Sequence, residues 1–263
     1  RSEVPFWITS EAEARAAVQE LATEEGDFVK IWVDDRGGQY EKLTPELYGA
    51  VIDEAHKNGL RVTAHVFTLE DAKGLLRAGI DAFAHGIRDQ DVDDELVQLW
   101  TDRPDVVLVP NLPNPGVALD LSWLSGTIPA ERLGEMQAAQ QERPAAQESF
   151  GIQARNLARL SSVGIRIAFG TDGSSPWTSH QEMEDMVRSG MTPAEVIVAA
   201  TSTSAELIEL DAGSIAPGKL ADFVILDANP IDDITNTRQI SDVYMRGQRV
   251  ERESLRERWT GSE

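Results

Sequence analysis

Short apolar runs alternate with longer amphipathic stretches through most of the first 210 residues, and this alternation predicts the architecture. Residues 27–33, 60–66, 80–85, 106–109 and 164–169 are brief, mostly apolar and rich in β-branched side chains, as buried parallel strands are. Between them lie helical patterns with recognisable starts and stops. Ser10 is placed to cap a helix over 11–24, Thr44-Pro45-Glu46 opens another that ends near Gly59, and Gly79 closes a third that begins at Thr68 or Leu69. An acidic loop over 88–94 leads to a helix ending near Trp100, and further helices are predicted over 152–163, from Thr192-Pro193 to Ala200, and over 204–210. Strands alternating with helices of about 10–15 residues indicate βαβ units and a parallel sheet.

Two segments break the rhythm. Over 112–151 the periodicity weakens, with Pro113, Pro115, Pro129 and Pro144 around Trp123, so a long insertion with short helices is expected there. Such an insertion serves either as a substrate lid or as a variable surface loop. From Asp211 the composition turns to Gly213-Ser-Ile-Ala-Pro-Gly218-Lys-Leu-Ala-Asp222, followed by an apolar strand at 223–226 and a hairpin of 240–245 with 248–250 around Arg246-Gly247. These strands form a small β unit rather than a continuation of the alternating pattern. Residues 254–263 read as a charged tail.

Four of the apolar runs end on a side chain that binds metals or moves protons. Phe28-Val-Lys30-Ile-Trp32, Thr63-Ala-His65-Val66, Ala84-His85-Gly86 and Gly170-Thr-Asp172-Gly173 supply Lys, His, His and Asp in that order. Neutral imidazoles and carboxylates are the usual ligands of Zn²⁺ and related ions, and a parallel barrel draws its catalytic residues from the C-terminal ends of several strands. The fold expected is therefore an α/β, TIM-like (β/α)8 barrel. Each residue has a plainer reading. Lys30 reads as a snorkelling lysine, although a charge beside Val29 and Ile31 costs energy if it is buried unpaired. His65 and His85 read as hydrogen-bonded core histidines, and Asp172 as the cap of the segment that follows it. His56 reads as a helix-surface or packing residue. His180 stands equally well as a pocket residue or at a helix start. Tyr40, Arg88 and Asn111 are substrate-binding candidates, although surface salt bridging is the expected role for Arg88 or Tyr40 taken singly.

Composition narrows the function classes. With 41% hydrophobic residues the chain has enough apolar surface for a core. Its 45 acidic residues against 24 basic give a formal charge of −21, which repels phosphate backbones and anionic lipid, so neither nucleic acid nor membrane is an expected partner. Without cysteine, disulfides and thiolate metal sites are excluded. The opening Arg1-Ser-Glu-Val-Pro5 has no hydrophobic signal region, so a secretion signal is either absent or already removed, and a cytoplasmic location is expected.

Gly170-Thr-Asp172 together with Gly213-Ser-Ile-Ala-Pro-Gly-Lys-Leu-Ala-Asp222-Phe resembles the amidohydrolase superfamily, in the branch containing imidazolonepropionase and the prolidase-like dipeptidases. The resemblance covers nearly the whole chain. It implies a barrel over 1–210 that begins at about the third strand, the C-terminal part of a β-sandwich over 211–253, and a small-molecule substrate. It further implies two divalent metal ions, zinc being the expected identity, held by Lys30, His65, His85 and Asp172, with Lys30 carrying a CO2-derived carbamate. Asp172 and His85 would be catalytic. The reaction implied is hydrolysis of a C–N bond in an amide, peptide or cyclic amide by a metal-activated hydroxide, in a homo-oligomer. One departure is large: the family carries a His-x-His pair on its first strand, and the four histidines here are His56, His65, His85 and His180. The barrel is therefore expected to be incomplete in this chain, with the pair supplied by an N-terminal segment or by a second chain. Phosphotriesterase- or lactonase-like activity, deamination, and a non-catalytic role completing a partner's barrel are the alternatives.

Overall fold

In the computed structural model, residues 6–24 and 26–260 are described. The opening Arg1-Ser-Glu-Val-Pro5 and the last three residues of the expected tail lie outside them. In chain order the elements are α1 (Glu11–Ala22), β1 (Phe28–Val33), α2 (Pro45–Lys57), β2 (Arg61–Val66), α3 (Leu69–Ala78), β3 (Ala82–Phe83), α4 (Asp94–Thr101), β4 (Val107–Leu108), α5 (Ala130–Ala138) and α6 (Pro144–Ser162). They continue as β5 (Arg166–Ile167), α7 (Thr178–Arg188), α8 (Pro193–Val198), α9 (Ser204–Leu207), β6 (Phe223–Leu226), β7 (Ile240–Met245), β8 (Gln248–Arg249) and α10 (Arg252–Thr260). No helix of the described residues is long and apolar enough to cross a membrane. The chain divides into two compact units, one running to Asn111 and including Arg155–Gly170, the other formed by Leu112–Ala154 and the residues from Thr171 onward.

The first unit is built on a parallel sheet whose strand order is β1-β2-β3-β4-β5. Doubly wound sheets reverse their order at a switch point, whereas consecutive strands of a (β/α) barrel stay in sequence. The order here is that of an arc of barrel. Along β1, Val29, Ile31 and Val33 are buried while Lys30 and Trp32 are exposed, so one face is packed and the other open. The expected cost of burying Lys30 is thereby removed: its apolar neighbours point to the opposite face. Register pairs Lys30 with Thr63 and Trp32 with His65, which puts these four on one sheet face.

Local signals define the connecting helices. Ser10 and Thr68 accept hydrogen bonds from the backbone of Glu13 and Asp71, and Gly79 ends α3 in the left-handed conformation. Trp100 is fully buried, lies 4.8 Å from Phe83 ring to ring, and donates its indole N–H to Val106 O at 3.2 Å. Asn156 holds the loop before α4, accepting from Val92 N at 2.8 Å and donating to the carbonyls of Ile87 and Gln90.

In the second unit, α6 starts eight residues before the predicted 152, because Pro144 stands in its first turn, where a missing N–H costs nothing. The helices predicted to end at Ala200 and to begin at Ser204 run into one another through a π turn, Ala199–Thr203, with Ser204 Oγ bonded to Ala199 O at 2.7 Å. Helix α7 begins two residues before His180, for which a helix start was one of the two readings. The predicted C-terminal strands form an antiparallel sheet, β6-β7-β8, and the hairpin turns at Arg246 and Gly247 with φ of 52° and 76°, the type I′ geometry.

Candidate active site

The first unit gathers its chemistry at the C-terminal ends of β1, β2 and β3. His65 is the fifth residue of β2 and His85 follows β3 by two residues. Both are buried, and their rings meet edge to face with centroids 4.6 Å apart. Burial pushes the His65 pKa down despite the Asp34 carboxylate beside it. His85 is pushed down to about 3, by burial first and then by the charges of Arg88, His65 and Lys30. Two neutral imidazoles side by side are what a divalent cation requires of histidine ligands.

Three neighbours that sequence reading missed surround His65. Trp32 stacks on its ring, centroids 3.6 Å apart and planes 8° from parallel. The Arg36 guanidinium lies over the Trp32 ring, 4.8 Å from its centroid. Asp34 Oδ2 lies 3.1 Å from His65 Nε2, and Asp34 Oδ1 accepts from Arg36 N at 2.8 Å. Burial raises the Asp34 pKa, but the Arg36 N–H and His65 outweigh it and hold the carboxyl below its usual range. Trp32 belongs to β1, whereas Asp34 and Arg36 lie in the turn that follows it, so no strand periodicity marks them.

The other candidates are distributed as follows. Arg88 is half-buried, its N–H donates to Phe67 O at 2.9 Å, and its charge acts on His65, His85 and Asp34. Tyr40 is exposed, in ring contact with Trp7 at 6.4 Å. His56 binds Asp81 through Nε2 at 2.8 Å on the helix surface. In the second unit, His180 sits in the first turn of α7, its Nδ1 3.0 Å from Thr237 Oγ1 and its ring edge-on to Trp123. Asp172 has a φ of 47°.

Asn111 also adopts a left-handed φ, of 44°, directly after the β4 run, and its amide donates to the carbonyl of Ala84, the residue before His85. Gly170 makes room for it. A Cβ at position 170 would lie 2.5 Å from Val109 Cγ1 and 2.6 Å from Asn111 Oδ1, closer than real contacts allow. Gly170→Ala should therefore displace the Asn111 side chain and destabilise the first unit by about 1–3 kcal/mol. Denaturant unfolding measures this, and an unchanged midpoint would mean that Asn111 has room to move.

Among the described residues no group of three His, Cys, Asp or Glu side chains converges closely enough to hold a metal ion. The first unit does supply two suited donors, and His65 Nδ1 is a buried ring nitrogen that makes no hydrogen bond. Donor type and the orphaned Nδ1 thus fit a divalent ion.

An arc of (β/α) barrel with imidazoles at its strand ends is the frame of a barrel hydrolase. Residues 7–250 match the model of the amidohydrolase family, and the chain belongs to that family. It is similar to an uncharacterized protein of Mycobacterium tuberculosis, 31% identical over 205 residues, which are 73% of this chain and 50% of the relative. It is also similar to the imidazolonepropionase of Deinococcus deserti, 34% identical over 143 residues, which are 51% of this chain and 36% of the relative. Among solved structures, a Xaa-Pro dipeptidase with methionine bound in its active site matches 93% of this chain and 59% of its own, with a TM-score of 0.72 at 26% identity. The chain spans about half the length, or less, of the curated relatives it matches.

Proposed function

We propose that this chain provides most of the active site of a metal-dependent hydrolase that cleaves C–N bonds in amides, peptides or cyclic amides. The observation that carries the reading is the pair of buried imidazoles at adjacent strand ends, His65 and His85, with ring centroids 4.6 Å apart, in a chain of the amidohydrolase family. Imidazolonepropionase and the Xaa-Pro dipeptidase among its relatives support the bond class.

In this reading Lys30, His65, His85 and Asp172 would hold the divalent ions, Lys30 as the carbamate formed when its amine adds CO2 and loses a proton. Bound divalent ions lower the proton affinity of water and polarise a carbonyl. Asp172 accepts the proton of the attacking water on its carboxylate and delivers it to the leaving amine nitrogen. Arg88 contributes a positive charge near the imidazoles, suited to a substrate carboxylate. A His-x-His pair from an N-terminal segment or a second chain completes the ligand set, since no such pair occurs in this sequence.

The test is intact mass and metal content on protein purified from its natural source, followed by assay on X-Pro dipeptides, N-acyl amino acids and cyclic amides. About two metals per site and activity lost on chelation and restored by zinc are expected. Chelator-resistant turnover would overturn metal dependence. Turnover of phosphotriesters or lactones alone would overturn the bond class, and a bare 263-residue chain that takes up no metal would leave the non-catalytic role.

A further inference from the structure

His65 is gripped from two directions by a single five-residue stretch. Trp32 packs flat against its ring and the Asp34 carboxylate meets its Nε2 edge, while Arg36 both covers Trp32 and donates its backbone N–H to Asp34. Trp32 lies on β1, where the parallel register sets it opposite His65, and Asp34 and Arg36 follow in the turn after the strand, Arg36 at a φ of 50°. We propose that Trp32, Asp34 and Arg36 form a clamp that fixes the tautomer and orientation of His65, leaving Nδ1 as the atom that binds metal. The inference rests on the ligand role proposed above for His65 and adds the residues that select its binding atom.

The chemistry of the donors decides the tautomer. An ionised carboxylate only accepts hydrogen bonds, so the proton of a neutral His65 must sit on Nε2, facing Asp34 Oδ2. The lone pair then lies on Nδ1, which is buried and makes no hydrogen bond. Metal-bound histidines commonly give their second ring N–H to a carboxylate, and removal of such a partner weakens metal binding by about 10–100-fold. Asp34 is also held in place: the Arg36 N–H occupies Oδ1 and so turns Oδ2 toward the ring. Trp32 blocks rotation of the imidazole out of the plane in which that bond forms.

This makes Asp34 a positioning residue with an unusual signature. In Asp34→Asn the Arg36 N–H still demands an acceptor, so the amide oxygen turns toward Arg36 and the NH2 group faces Nε2. The hydrogen-bond polarity is reversed, and His65 should carry its proton on Nδ1. Asp34→Ala removes the acceptor without offering a donor, so the two tautomers should mix. Zinc affinity, measured by competition with a chelator, should therefore fall in the order Asp34→Ala then Asp34→Asn, the latter by about 10–100-fold. A merely structural role would give the opposite order, because Asn preserves the shape that Ala deletes.

The experiment is nitrogen-15 NMR of the histidine rings in the metal-free full chain, with its natural partner segment where one copurifies, alongside the zinc titrations. Trp32→Leu serves as a second variant, expected to keep the Nε2 proton while broadening the His65 signal and weakening zinc binding several-fold. A His65 protonated on Nδ1 in the parent protein, or an unchanged tautomer in folded Asp34→Asn, would overturn the clamp. His65→Ala with unaltered zinc affinity would instead overturn the ligand role itself, so the two failures are separable. A reversed tautomer and weakened zinc binding in Asp34→Asn would support both.

Discussion

Asp172→Asn should reduce kcat by about 10²–10⁴-fold while leaving the fold and its stability nearly unchanged. The backbone explains why this substitution is clean. Asp172 stands in the left-handed region at a φ of 47°, where Asn is as well accommodated as Asp and most other residues are strained. Asn therefore removes the ionisable carboxylate without disturbing the chain, and the unfolding free energy should move by less than about 1 kcal/mol. Asp172→Ala lacks that advantage and should add a backbone penalty on the order of 1 kcal/mol to the same loss of rate. Steady-state kinetics on metal-replete protein, paired with denaturant unfolding of both variants, separates the two effects. A kcat for Asp172→Asn within threefold of the parent would remove Asp172 from proton transfer. A matched fall in stability would reassign it to the turn.

The two strand-end histidines were legible in sequence because each closes a short β-branched run, and period-2 patterning survives where one sheet face is buried. Their surroundings were not. Trp32 meets His65 only through the parallel register of β1 on β2, a pairing set by tertiary structure and shifted to the other face by a slip of one residue. Asp34 lies just past the β1 run, and nothing local marks it as the partner of a residue 31 positions away. Helix α7 was legible only through His180, one reading of which is a helix start. Its buried face carries Glu182 and Asp185 beside Met183 and Met186, so the apolar stripe that marks a helix is interrupted by carboxylates. The prolines of 112–151 point to short helices only, although Pro144 begins a 19-residue helix. Proline position, rather than proline count, carried the information.

The same interrupted stripe gives the chain a measurable pH dependence of stability. Glu182 is buried, its carboxylate accepts from Leu112 N at 3.0 and 3.1 Å, and burial raises its pKa to about 8 against the single N–H, with Asp185 nearby adding to the rise. Below about pH 4.5 the group is neutral in folded and unfolded chains alike and costs nothing. Between 4.5 and 8 the folded protein keeps a proton that the unfolded chain releases, so stability falls as pH rises and levels off above 8. The accumulated cost is on the order of 5 kcal/mol, from about 1.4 kcal/mol per unit. Asp185, raised to about 6 chiefly by burial, acts with the same sign over a narrower window. Glu182→Gln keeps an acceptor for Leu112 N and cannot ionise. Its Tm should exceed that of the parent by on the order of 10 °C at pH 9, and the gain should shrink toward zero near pH 4. Thermal unfolding of both proteins across that range measures the difference. A gain independent of pH would trace the effect to packing, and a loss at pH 9 would show that the Glu182 carboxylate is ionised and satisfied where it lies.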